Sequence, residues 1–325
     1  MTVNIFFDKV RRRICRNIYK HTHSWSKSYF LYRSYWHYLF HHPNKGKTNT
    51  TQYYSARPNP RAGIGHQMAN WNAGYWWARQ FGLSFAHIPF AKQAWDDFLG
   101  FGLGEKKVSD LIYREGYKVI KLPKFEGNYE KEVTLQRSII SSYKGHRIVF
   151  VAEQDQGYHD QYGVMEDIQR KFYSAPARTQ DSFVYDKNHF NIAVHARRGD
   201  IMSDSNNPNL TMRILSNQYF YNALRGALGL VSTDKDVHIY FFSQGSPADF
   251  PEFKEFKNLH WCFDMSAQQS FLHMVYADLL ITSKSSFSYK PALLNKGFKV
   301  CPKDFWHGYP ESNDWYLCDN QGFLI

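Results

Sequence analysis

Apolar positions in this chain gather into short runs that stop abruptly. Phe190-Asn191-Ile192-Ala193-Val194-His195 is one, and it empties into Arg197-Arg198-Gly199-Asp200. Arg147 to Val151 and Leu83 to Ile88 are others, as are Asp278 to Thr282 and Val237 to Phe242, the last closed by Ser243-Gln244-Gly245. Near-continuous runs of this length, bounded by turn residues, are the pattern of strands buried on both faces. Between them the sequence predicts helices over Ala73–Gln80 and Gln268–Ala277, and another starting at Lys290 with Pro291 near its first turn. Strands alternating with helices predict an α/β fold with parallel sheets. Pro43 to Thr51 is polar and turn-rich, a linker, and the polar region 152–180 reads as a hinge. The expected organisation is a leader over 1–50, an α/β domain over 51–180 and a second over 181–325. A length of 325 residues fits two domains at roughly 100–200 residues each.

Composition refines this picture. Hydrophobic residues at 43% exclude wholesale disorder. The net charge of +11 sits almost entirely in residues 1–47, where ten basic side chains face one acid, Asp8. Charge on a leader and not on the folded body argues against nucleic acid as a partner. The leader also holds eleven aromatics, Trp25, Tyr29, Phe30 and Trp36 among them. Rings mixed with Lys and Arg suit an anionic membrane surface; an extension packed on the body by its aromatics is the other reading. No apolar run in the leader approaches the ~18 residues of a spanning helix, and the apolar core and cleavage site of a secretory signal are missing. The four cysteines, Cys15, Cys262, Cys301 and Cys318, form no CxxC, which favours a reducing compartment. The expected location is the cytoplasm, with residues 1–47 as a peripheral membrane attachment.

The chemistry concentrates where strands end. In open parallel sheets, ligands bind beyond the carboxyl ends of the strands. Arg197 and Arg198 at such a place can give a diphosphate bidentate, charge-assisted hydrogen bonds that lysine cannot reproduce. Gly199 permits a sharp turn, and Asp200 can hold an arginine. Thr282-Ser283-Lys284-Ser285-Ser286-Phe287-Ser288 repeats the logic: a strand, a hydroxyl-rich loop, then a helix start able to cradle an anion. Serines there also serve as plain helix caps. Other chemistries are disfavoured. Asp234-Lys235-Asp236, the sole D-x-D, precedes a strand and so lies at the wrong end of a sheet for a metal-dependent transferase. There is no HExxH zinc motif and no G-x-S-x-G nucleophile elbow.

Taken in order, Gly63-Ile64-Gly65-His66-Gln67-Met68, His195 to Asp200, Ser243-Gln244-Gly245 and Ser283 to Ser288 resemble four motifs of one enzyme group. These are the G-x-G-N-Q-M, H-x-R-R-G-D, T/S-x-G/D and S-S-F-S elements of the α-1,2/α-1,6/protein-O fucosyltransferase superfamily. The resemblance spans roughly residues 57–300 and leaves out the leader. It implies a GT-B-like architecture, two Rossmann-like domains facing a cleft, with GDP-fucose as donor, a glycan as acceptor, inversion at the anomeric carbon and no metal cofactor. Carried over, it assigns Arg197 to the β-phosphate, Arg198 and Asp200 to shaping the loop, and His195 to the nucleotide's side. Ser285 and Ser286 then bind a phosphate, and Gly65 and Ser243 complete the donor site. Asp204, following the arginine loop, is the candidate base for the acceptor hydroxyl. Fixed cationic donors at the leaving diphosphate would do what a metal does elsewhere.

Two departures stand out. His66 replaces the family's Asn, and Ser270, between Gln269 and Phe271, lies where a carboxylate is expected to read guanine. A transferase using another GDP- or nucleotide-sugar therefore stays open. So do a non-catalytic nucleotide- or glycan-binding relative and a leader-driven membrane or polyanion binder, whose binding would weaken steeply with salt.

Overall fold

A computed structural model of the chain describes residues 6, 10, 13, 33–40, 50–123, 125, 129–153, 160–202 and 206–325. The chain divides into two compact units. One comprises Met1–Ala62, Gln67–Asp96 and Phe101–Tyr158; the other comprises Gly63–His66, Asp97–Gly100 and His159–Ile325.

The first unit is built on five strands: β1 (Tyr53–Arg57), β2 (Ser84–His87), β3 (Lys106–Lys107), β4 (Lys118–Lys121) and β5 (Ile148–Glu153). They pair in the order β3-β2-β1-β5-β4, every pair parallel. The helices are α1 (Arg33–Phe40), α2 (Ile64–Gln80), α3 (Gln93–Leu99), α4 (Val108–Tyr113) and α5 (Tyr129–Ser142), except that the first turn of α2 up to His66 and the end of α3 from Asp97 count with the second unit. Helix α2 begins nine residues before the expected Ala73. It is buried over most of its length, including Asn70 and Asn72, so no apolar stripe marks its start. Gly74 lets it lie on β1, since a Cβ there would sit 2.5 Å from the Ala56 Cβ. Trp71 and Trp77 are core residues. Within the basic leader, helix α1 docks on α5: the His37 ring stacks on Tyr143 at 3.8 Å and its Nε2–H donates to the Ser142 carbonyl at 2.8 Å. The rest of residues 1–47, apart from positions 6, 10 and 13, lies outside the described residues, and with it most of the expected membrane-facing segment.

The second unit opens with α6 (Met165–Tyr173), which buries Ile168 and Phe172 inside the stretch expected to be a polar hinge. One apolar residue per helical turn is too thin a signal to stand out there. Six parallel strands follow: β6 (Phe190–His195), β7 (Val237–Phe242), β8 (Leu259–Cys262), β9 (Leu279–Ile281), β10 (Phe298–Pro302) and β11 (Trp315–Cys318). Their order is β11-β10-β9-β6-β7-β8. From β6 the chain winds outward through β7 and β8, then returns to the other flank of β6 and winds outward again. That is the doubly wound, Rossmann-type order, and its switch point falls between β6 and β9. Ile192, Val194, Ile239, Phe241, Leu279, Ile281 and Val300 form the sheet's share of the core, with Phe220 and Leu224 from α8 (Asn217–Leu230). Each such side chain stabilises by about 1.5–3 kcal/mol on burial. The other helices are α7 (Pro208–Thr211), α9 (Ala267–Tyr276) and α10 (Ser286–Leu294). Helix α10 starts four residues before the expected Lys290, because Ser285 caps it, and Pro291 lies inside it. The α/β expectation with parallel sheets holds in both units. Among the described residues, no helix is long and apolar enough to cross a membrane.

Candidate active site

Strand β6 carries its chemistry to the sheet's carboxyl edge because its own residues, Asn191 to His195, are buried. Ala196 extends the ladder by one bond, its N–H donating to the Phe242 carbonyl at 3.0 Å. The chain then turns at Gly199, whose φ of +73° suits glycine. A Cβ there would lie 1.7 Å from Oε1 of the exposed Gln244, a side-chain end that would have to move aside.

Across the switch point, β9 ends in the serine loop, and the two segments meet. His195 Nδ1 and Ser283 Oγ share a hydrogen bond of 3.0 Å, and Arg197 Nη1 donates to Ser285 Oγ at 3.1 Å, each bridging 88 residues of sequence. Ser285 also caps α10, accepting from the Phe287 N–H at 3.2 Å. The helix-cap role and the contact with the arginine loop therefore coexist in one hydroxyl. Ser288 Oγ, 3.3 Å from Ser283 Oγ, closes a web of buried hydroxyls beneath the loop. Burial, with Arg197 and Arg198 nearby, holds the His195 imidazolium pKa down to about 3. The ring is neutral at ordinary pH and offers hydrogen bonds without charge.

The two arginines part company. Arg197 faces Ser285, whereas Arg198 turns to α8, donating from Nη2 to Asn217 Oδ1 at 2.7 Å and from Nη1 to the Arg197 carbonyl at 2.9 Å. Its guanidinium lies 5.7 Å from the Phe220 ring centroid and 5.6 Å from that of Phe250. Burial lowers its pKa, with Glu252 opposing. Arg198 thus lines a cavity of about 440 Å³ together with Met202, Leu215, Asn217, Gln244 and Asp249. Ser243 is a brace: its hydroxyl donates to the Ala196 carbonyl at 2.8 Å. Ser286 is the half-exposed first residue of α10. Gly65 packs on that residue, since a Cβ on it would come within 2.6 Å of the Ser286 carbonyl group. Asp200 lies in a single 3-10 turn, Gly199–Met202, with its side chain outside the described set, and Asp204 is outside it altogether.

Elsewhere, Ser270 is buried in α9 and its N–H donates to the Ser266 carbonyl at 2.8 Å. The Asp234-Lys235-Asp236 triplet sits at the amino end of the sheet, where the Asp236 carbonyl accepts from Phe190 N–H at 2.9 Å. Sequence reasoning did not single out Ser283 as the partner of His195, although it lies in the serine run. Nor did it mark Asn217, which carries no motif and is recognisable only as the residue after a Ser cap.

No protein-family model and no curated protein matches the chain. Among solved structures it is similar to the fucosyltransferase NodZ from Bradyrhizobium, with TM-score 0.45 and 13% identity over 76% of this chain and 94% of that one. It is also similar to POFUT1 in complex with GDP, with TM-score 0.48 and 11% identity over 84% and 99%. A point mutant of Arabidopsis thaliana FUT1 in complex with GDP gives TM-score 0.44 and 12% identity over 93% and 79%. At such identities the chain's activity has to be read from its own residues.

Proposed function

We propose that this protein is a glycosyltransferase that moves fucose from GDP-fucose to a glycan acceptor, with inversion and without a divalent cation. One observation carries the reading: Arg197 and Ser285 meet at the β6/β9 switch point, beside a neutral His195. A guanidinium fixed at a helix start favours a diphosphate, because donors and charge are oriented before the ligand arrives. The motif resemblance of His195 to Asp200 and of Ser283 to Ser288 supplies the donor class. In this reading Arg197 takes the charge that develops on the leaving diphosphate, and Ser285 and Ser286 hold its oxygens. Ser243, Arg198 and Asp200 keep the loop in place. Gly65 keeps the backbone close to the cradle. Asp204 is the assigned base, and Asp204→Asn should abolish transfer while leaving donor affinity unchanged.

The buried Ser270 favours a second reading, in which the donor carries a base other than guanine. A single hydroxyl oxygen cannot give two adjacent N–H groups the parallel, bidentate pairing of a carboxylate's two oxygens. A calorimetric screen of GDP, UDP and CMP and their sugars decides between the two. Preferential GDP binding supports the first reading, and UDP or CMP preference supports the second. Unchanged transfer in a chelator tests the metal-free step. Residues 1–47 as an attachment to anionic membrane remain part of the proposal, tested by vesicle binding of the full chain with rising salt.

A further inference from the structure

Arg198 is a half-buried cation, and such burial is tolerated only where hydrogen bonds and counter-charge replace the lost hydration. Here the replacement comes from two uncharged acceptors, the Asn217 side chain and the Arg197 carbonyl, with Glu252 as counter-charge. Asn217, the first residue of α8, accepts from Arg198 Nη2 at 2.7 Å and donates from Nδ2 to the Asp249 carbonyl at 2.7 Å and to Glu252 Oε2 at 3.3 Å. One amide therefore ties together the start of α8, the segment after β7 and the arginine loop. The other end of the Arg198 guanidinium holds the Arg197 carbonyl at 2.9 Å. The Phe220 and Phe250 rings flank the planar group, so its direction is left to its hydrogen bonds. On the far side of that same carbonyl, Arg197 leaves the backbone toward Ser285.

We propose that Asn217 is a positioning residue: through Arg198 it fixes the backbone of Arg197 and so aims the guanidinium that meets the diphosphate. This rests on the functional reading above, and Asn217 itself touches no reacting atom. With Oδ1 gone, the Arg198 Nη2 loses its acceptor, the guanidinium rotates toward water, and the Arg197 carbonyl is released. Arg197 then samples several directions, and a misplaced donor loses most of its worth to a phosphate.

The test is a double-mutant cycle on the full chain, with GDP affinity read by calorimetry and folding by thermal melts. Asn217→Ala should weaken GDP about tenfold, but less than twofold in the Arg197→Lys background, because an indirect effect vanishes once its target is altered. Asn217→Ser, whose hydroxyl is too short to reach Arg198, should behave like Asn217→Ala and substitutes for it if the alanine variant does not fold. Asn217→Gln keeps both the acceptor oxygen and the donor amide and should restore affinity to within about threefold of the unsubstituted chain. Equal losses in both backgrounds, or no loss in either, overturn the positioning role alone. Absence of GDP binding by the unsubstituted chain overturns the functional reading, and the positioning role with it.

Discussion

His87 ends β2 in the first unit and His195 ends β6 in the second, and both rings are buried. His87 is closed on both sides. Its Nδ1 accepts from Trp71 Nε1–H at 3.1 Å, which leaves Nε2–H to donate to Asp96 Oδ1 at 3.0 Å. Burial alone would raise the Asp96 carboxyl, but the hydrogen bonds from His87 and the Phe90 N–H, with Lys107 nearby, outweigh it, and its pKa is lowered. His195 has a hydroxyl partner instead, and arginines, not a carboxylate, are its charged neighbours. The same residue type at the carboxyl end of a parallel strand is a structural pin in one unit and the neighbour of two arginines in the other. What separates them is the sign of the neighbouring charge: a carboxylate completes the ring's hydrogen bonding, whereas fixed cations leave positive potential for an incoming anion.

The strongest way to break this comparison is Arg197→Lys. A point charge cannot fork across two phosphate oxygens, so turnover should fall by about 100-fold or more while the melting temperature stays put. Wild-type turnover would remove Arg197 from the site. Next comes Gly65→Ala, which drives a methyl into the Ser286 backbone. We expect about 1–3 kcal/mol of destabilisation from overpacking together with a clear loss of GDP affinity, read by denaturant titration and calorimetry. Intact affinity would detach Gly65 from the cradle. Asp96→Asn should act on stability alone, costing about 1–3 kcal/mol for the weakened His87 partner with GDP affinity within twofold. A parallel loss of affinity would mean that the pin is more than a pin.

The smallest effect concerns protons. The folded pKa of His195, about 3, lies below the 6.5 the ring keeps when exposed. The unfolded chain therefore takes up this proton first. The stability linked to the neutral ring is complete above pH 6.5 and is lost as pH falls toward 3. His195→Asn should flatten the decline of the melting temperature across the upper part of that window. Identical slopes in the two proteins would show that the ring is not held neutral.

Much of the second sheet was legible because a buried parallel strand is a local apolar run. Phe190–His195 and Val237–Phe242 match β6 and β7 residue for residue. Helices were harder. The burial of α2 on nearly all sides erased the period that would have revealed its first nine residues. At α10, the pull of Pro291 toward a helix start hid the cap at Ser285. The arginine pair and the serine run were visible as candidates. Their meeting was not, nor was the divergence of Arg197 from Arg198.

By itself, then, the sequence determined which segments extend, where they stop, and which side chains stand at the stops, since these depend on neighbours a few residues apart. Only the tertiary structure decided that β9 returns beside β6, bringing Ser283 and Ser285 to His195 and Arg197 across 88 residues. It alone sent Arg198 to Asn217. Strand order is a global solution to burying two faces of a sheet, and a guanidinium's partner follows from where that solution leaves an acceptor within about 3 Å.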